Sequence, residues 1–290
     1  MRKDNAKVTA QFFNTVTQIL NSESVNPLGG IYRHLLWQYR RIFRQFPVTL
    51  RIADSRLRVD EPCGVAALIN AMGEYDYNNM RFFCLLLSRS PGTFLDIGAN
   101  IGSYTLVVSE LSEAVVISIE PHPVTFGWLK ENVRLNCRKN VTCLNFAVSD
   151  QNGHIRFTNG LDPSINRVVL KEGESNPATL SIESRRADAL CQEFRISPDF
   201  VKIDVEGHEL AVLQSLGSYR SFSKVIVVEN GERETVRAWM KPNYAGPFYV
   251  HVDERVLSSA KQKRSEDSVY VNVKFLDELR GMGFSILAEG

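Results

Sequence analysis

Four acids and one histidine crowd two short stretches of this chain. Asp204, Glu206, His208 and Glu209 lie within K-I-D-V-E-G-H-E, and Glu229 ends V-I-V-V-E. A carboxylate or imidazole so placed can take a proton from a hydroxyl. His208 and Glu206 are the candidate bases, and Glu229 is a further one. Asp204, Glu206 and Glu229 also offer the hard oxygen atoms that suit Mg²⁺, so the cluster permits a divalent metal. The plainer use of each acid, Glu209 above all, is to complement the positive end of the following helix. His34, His122, His154 and His251 have no ligand spacing and are assigned no metal.

A second constellation lies upstream in Phe94–Gly102, F-L-D-I-G-A-N-I-G. It reads as strand, tight glycine loop, helix, the opening unit of a nucleotide-binding α/β fold. Asp96 sits where the strand runs out. A carboxylate there would repel a pyrophosphate but attract a cation, such as the ammonium of S-adenosylmethionine. The loop lacks the middle glycine of G-x-G-x-x-G, which argues against a NAD-dependent oxidoreductase. Gly98 and Gly102 allow close backbone approach. The N–H groups from Gly102 through Ser103 to Tyr104 are candidates for a carboxylate, with Asn100 beside them. Glu120 ends the next apolar strand, near the offset of a ribose-binding acid. Pro121 and Phe126 would wall the adenine, although Phe126 suits the core equally. Ala147, Val148 and Asp150 end the third strand and should edge the base, Asp150 serving as well to cap a turn.

The elements that must hold these residues follow from hydrophobic patterning. Strands are expected at Phe94–Ile97, Val115–Glu120, Val141–Phe146, Phe200–Asp204 and Val225–Glu229, with helices at Ser103–Leu111, Val124–Asn136 and Glu209–Leu216. Continuous apolar strands alternating with helices imply a mostly parallel α/β sheet covered on both faces, a Rossmann-like arrangement. Residues 1–70 are expected as an extension: helices broken at Asn26–Gly30, then a hairpin over 48–60. Residues 71–290 form the main domain. Inserts are expected near 151–190, which carries Gly153, Gly160, Pro163, Gly173 and Pro177, and near 230–271. Val269–Val273 and Phe248–Val252 compete for the late strand positions.

Composition excludes several classes. A net charge of +1 offers no broad grip on nucleic acid. No run of 18 apolar residues could span a membrane. The first residues, MRKDNAKVTAQFFN, hold no secretory apolar region. Five scattered cysteines without a C-x-x-C pair read as reduced thiols, consistent with a cytoplasmic protein. Arg33–Phe46, RHLLWQYRRIFRQF, interleaves arginines with aromatics. It suits an anionic membrane surface or a cover for the acceptor cleft; the plainer reading packs it on the protein with its arginines in water.

D-I-G-A-N-I-G at 96–102, I-E-P at 119–121, A-V-S-D at 147–150 and K-I-D-V-E-G-H-E at 202–209 together resemble the FkbM-type methyltransferases, over roughly residues 74–230. The resemblance implies a class I S-adenosylmethionine-dependent O-methyltransferase. Its acceptor would be a hydroxyl of a sugar, glycoconjugate or polyketide-type molecule. A small residue often stands where this chain has His208. Such enzymes usually finish their sheet with an antiparallel strand. The alternative is a non-catalytic protein that kept the fold and binds S-adenosylmethionine without turnover.

Overall fold

The computed structural model describes residues 12–13, 15–20, 26–110, 114–160, 162, 166–169, 178–260 and 267–287. Leu111, Pro163, Gly173 and Pro177 lie outside these. The chain divides into two compact units, Met1–Tyr77 and Asn78–Gly290.

In the first unit, the expected break at Asn26–Gly30 is instead the start of a helix, Pro27–Ile42. The Asn26 side chain accepts from the Leu28 and Gly29 N–H groups, and Pro27 takes the first turn, where its missing N–H costs nothing. The hairpin expected over 48–60 forms from β1 (Val48–Ile52) and β2 (Ser55–Val59). Leu50, Ile52, Leu57 and Val59 point inward while Arg51, Arg56 and Arg58 point to water, the period-2 pattern of a one-sided hairpin. A helix, Gly64–Met72, completes the unit; Arg33 reaches the carbonyls of Asn70 and Ala71 near its end.

The second unit holds two sheets among the described residues. Its strands are β3 (Thr93–Ile97), β4 (Val115–Ile119), β5 (Val141–Leu144), β6 (Ala147–Val148), β7 (Gly153–Thr158), β8 (Thr179–Arg185), β9 (Phe200–Ile203), β10 (Val225–Glu229), β11 (Tyr244–His251), β12 (Val256–Ser258), β13 (Asp267–Asn272) and β14 (Ser285–Leu287). The main sheet runs β14-β12-β11-β13-β10-β9-β3-β4-β5. From β5 to β10 every pairing is parallel. The strand order reverses between β3 and β9, so a crevice opens beyond their carboxyl ends, where ligands bind in open α/β sheets.

The late topology is more regular than the sequence patterning implied. Residues 230–271 hold a helix, Glu234–Met240, and most of three strands. Both candidates for the late position form strands: β13 is antiparallel to β10, and β11 pairs with the far side of β13. The third strand stops at Leu144. Asn145 turns its side-chain amide onto the carbonyls of Glu120 and Pro121, and Ala147–Val148 then joins the smaller sheet β6-β8-β7.

Side-chain alternation gives the main sheet two different faces. Leu95, Ile97, Ile117, Ile119, Val201, Ile203, Ile226 and Val228 are buried in one apolar cluster together with Val212, Leu213 and Val236 from following helices. The opposite face is mixed. Ser118, Asp96 and Lys202 stand in register across β4, β3 and β9, all three buried. Buried polar groups demand partners, so this row marks where the sheet gives up stability for another purpose.

Candidate active site

The glycine loop leaves β3 with Gly98 at φ +82° and Asn100 at φ +53°. A Cβ on Gly98 would lie 1.7 Å from the carbonyl oxygen of Asp204, so only glycine fits there. The Gly98 and Ala99 N–H groups both bond the Ile119 carbonyl at 3.0 Å, which fastens the loop to the end of β4. Gly102, at φ +96°, closes the loop by donating to Ala99 O at 2.9 Å. Its N–H is therefore occupied, contrary to its expected role as a carboxylate donor. Ser103 is buried as the first residue of a short helix, Ser103–Val108.

Asp96 is fully buried. Its Oδ2 accepts from Thr105 Oγ1 at 2.7 Å, and Thr105 in turn meets Ser118 Oγ at 2.7 Å. Its Oδ1 has no partner. Burial raises the Asp96 pKa above the usual carboxylate range, while Lys202 pulls it down. An orphaned buried acceptor of this kind suits a ligand cation.

Glu120, just past β4, accepts from the Asn100 N–H with Oε2 and from the His122 N–H with Oε1, each at 2.9 Å. Burial, only partly offset by these bonds, lifts its pKa to about 7. Each carboxylate oxygen keeps a second lone pair, so the group can hold the loop and still accept from a ligand hydroxyl. Asn100 spends its side-chain oxygen on the Ile101 N–H at 2.9 Å. Phe126 packs on Ala99, Leu129 and Val133, which places it in the core.

Beyond β9 and β10 the acids converge. Asp204, Glu206 and Glu229 bring one carboxylate oxygen apiece to within 4.8 Å of one another. Burial first, then the Asp204, Glu206 and Glu209 charges, hold Glu229 up at about 8. Its Oε2 is buried and unpartnered. Glu206 at φ +54° and Asn230 at φ +50° are left-handed non-glycine residues, as Asn100 is after β3. Such backbone costs about 1 kcal/mol or more each and gathers at functional loops. Glu209 is set apart: it accepts from the Gly207 N–H and pairs with Arg233 at 3.3 Å, a structural use.

Lys202 was not singled out by the sequence reading. Its Nζ bonds Asp204 Oδ2 at 2.9 Å, and it lies 4.9 Å from the centre of the Tyr104 ring. It is the buried cation among these acids. A lone lysine within the apolar run F-V-K-I was the available signal.

His208 is brought to the A-V-S-D turn. Its Nε2 lies 2.9 Å from Ser149 Oγ, and Ser149 donates to Asp150 Oδ1 at 3.1 Å. A hydroxyl has one proton. With that proton on Asp150, the imidazole must donate through Nε2–H, which leaves Nδ1 as the lone-pair nitrogen. Burial lowers the His208 pKa, opposed by the Asp150 charge, which favours the neutral ring. Ala147 and Val148, the short strand that leads into Ser149, are buried. Pro121 is only half-buried.

Two groups of expected site residues thus meet across the switch point, the loop residues on β3 and β4 and the acids on β9 and β10. Known proteins bear on this arrangement. The family described as the methyltransferase FkbM domain matches residues 96–274. A Haloferax volcanii protein named hexuronic acid methyltransferase AglP is 31% identical over 135 residues, which cover 46% of this chain and 54% of that protein. The match therefore spans about half the length of that relative. Among solved structures, a Bacillus cereus O-methyltransferase in complex with SAH aligns at 13% identity and a TM-score of 0.41, over 67% of this chain and 80% of that one. The M. jannaschii TYW2 in complex with AdoMet aligns at 14% identity and a TM-score of 0.40, over 78% and 87%.

Proposed function

The chain belongs to the FkbM methyltransferase family, and on that premise we propose that it methylates a sugar or glycoconjugate hydroxyl with S-adenosylmethionine. The observation that carries this reading is the buried, unpartnered Oδ1 of Asp96 at the carboxyl end of β3, beside the glycine loop. That pairing fits a cationic amine held close to backbone.

Asp96, Gly98, Asn100 and Glu120 would hold the donor, with Ala147, Val148 and Asp150 at the base end. The donor supplies an electrophilic methyl on sulfonium; the C–S bond breaks as the O–C bond forms, and the neutral thioether leaves. The protein's task is alignment and removal of the acceptor proton. Nδ1 of His208 is the base in this reading, because a Ser149 proton given to Asp150 leaves Nδ1 the lone pair and burial favours the neutral ring. Glu206 and Glu229 stand as the alternative bases.

Asp204, Glu206 and Glu229 fit a hard divalent cation such as Mg²⁺, which would orient the acceptor oxygen and favour its ionisation. The Haloferax volcanii relative's name supports an acidic sugar as one acceptor class. The negative charge of this acid cluster would repel a uronate, so an acidic acceptor should gain more from the cation than a neutral sugar.

Calorimetric titration with S-adenosylmethionine, S-adenosylhomocysteine and NAD, with and without Mg²⁺, tests the reading. The sulfur pair should bind and NAD should not; the reverse would sink it. Turnover on uronate and neutral sugar acceptors, each with and without Mg²⁺, then separates the acceptor classes. Donor binding without turnover on any acceptor would favour the non-catalytic alternative.

A further inference from the structure

The helix Pro27–Ile42 presents its apolar side to water. Leu28, Tyr32, Leu35, Tyr39 and Ile42 follow one another at steps of four, three, four and three residues, which aligns them along one face. All are exposed, from 48% at Tyr39 to 79% at Leu28, and Phe43 at 60% extends the stripe. The buried positions are on the opposite side, at Gly30, His34 and Trp37. The arginines of the plainer sequence reading do reach water, Arg33 and Arg44 exposed and Arg40 and Arg41 half-exposed, but the helix turns an apolar face outward as well. Arg40 lies at the edge of that face, next to Phe43, whereas Arg41 falls on the side of His34 and Trp37.

Charge decides between occupants. From Asn26 to Phe46 the chain has four arginines and no carboxylate, while the whole chain carries only +1. Arg33 is spent on the Ala71 carbonyl; Arg40, Arg41 and Arg44 remain at the helix end. A second copy docked stripe to stripe would set this basic helix against another, with no acid in either to answer it. An anionic lipid surface offers an apolar interior to the stripe and headgroup charge to the arginines, which can extend along the apolar face to reach it. Tyr32 and Tyr39 have the mixed character that favours the interface level.

We propose that the stripe Leu28–Tyr32–Leu35–Tyr39–Ile42–Phe43, flanked by Arg40 and followed by Arg44, docks the protein on an anionic bilayer surface. The docked helix lies in the membrane plane and does not span it. Among the described residues, no helix is long and apolar enough to cross a membrane. The inference goes beyond the methyl-transfer reading and does not depend on it.

The full chain should co-sediment with phosphatidylcholine vesicles that contain phosphatidylglycerol, and much less with phosphatidylcholine alone. Salt should weaken the binding. Leu35→Glu with Ile42→Glu, both at exposed positions, should cut binding at least about tenfold at an unchanged melting temperature. Arg40→Gln and Arg44→Gln should each cost about fivefold. Absence of anionic-vesicle binding, or unchanged binding in the glutamate variant, would overturn the proposal. So would a solution dimer, seen by light scattering, that Leu35→Glu abolishes: the stripe would then belong to a second copy.

Discussion

The carbonyl oxygen of Asp204 occupies the place that a side chain on Gly98 would need, 1.7 Å from where its Cβ would stand. The donor loop and the acid-bearing loop are therefore pressed together backbone to backbone. Gly98→Ala would have to open that contact as well as bear a φ of +82°. It should lose donor binding by more than about a hundredfold and destabilise the fold by at least ~2 kcal/mol. Calorimetry and a denaturant melt on the same sample check both effects.

Asp96→Ala and Glu120→Ala should abolish measurable donor binding while the protein stays folded. For Glu120 the loss should be about 1.5–3 kcal/mol or more, since its carboxylate also holds the Asn100 and His122 N–H groups. Glu120→Gln should be no rescue, because an amide offers one acceptor oxygen where the structure uses two. Affinity like that of the wild type in these variants would remove the site from β3 and β4.

Glu229 gives a pH signature. Its folded pKa, about 8, lies above the ordinary 4.5. Its stabilising contribution is thus fully present below pH 4.5 and is lost as the pH rises through about 8. The melting temperature of the ligand-free protein should fall from pH 6 to 9, and Glu229→Gln should flatten that slope. Mg²⁺ should raise the melting temperature at pH 8 for the wild type and not for Glu229→Gln. A flat wild-type profile with no Mg²⁺ response would remove both the burial argument and the metal.

Ser149→Ala should free the His208 ring to adopt either tautomer. The expected result is a kcat reduced by about tenfold, little change in donor Kd, and a shifted acidic limb of the pH–rate profile. Ser149→Thr, which keeps the hydroxyl, should restore much of the rate. Equal loss in both variants would mean packing and not tautomer control. His208→Ala should cost more than Ser149→Ala, about 10²–10⁴ in kcat; unchanged turnover would move the base to Glu206 or Glu229.

Lys202→Met should destabilise by about 3 kcal/mol, since it removes the cation from a pair whose lysine is buried. It should also push the Glu229 titration higher, because Lys202 is among the charges holding it down. Carboxyl chemical shifts across a pH series would report this directly.

What the sequence made legible was local. The glycine loop, the strand-end acids Asp96, Glu120 and Glu229, and the order of the motifs follow from residue type and period, and the structure places each at a strand end or in the loop just beyond. Less visible were relationships set by tertiary packing. Asn26-Pro27 resembled a helix break because Pro and Gly punctuate chains, yet both suit a helix start. Lys202 was hidden because its value lies in the registered neighbour Asp96, more than a hundred residues away. The order β10-β13-β11 could not be read because β11 and β13 are both strand-like, and pattern alone does not say which is inserted beside β10. The Ser149–His208 contact joins two motifs that the sequence shows only as separate words.

The pairing of β3 with β9 carries a consequence for how the molecule is assembled. Thr93 and Asp199, joined at the entry to these strands, are 106 residues apart. The crevice has no second wall until that long loop closes, and closing it costs chain entropy before any contact returns it. A fragment ending before residue 199 would carry a complete glycine loop and no reaction chamber. During synthesis the donor side must wait, with β3 an unpaired edge on that flank, for its partner to emerge. Slow folding and a need for protection from strand-edge aggregation follow from the same topology that places the two halves of the chemistry face to face.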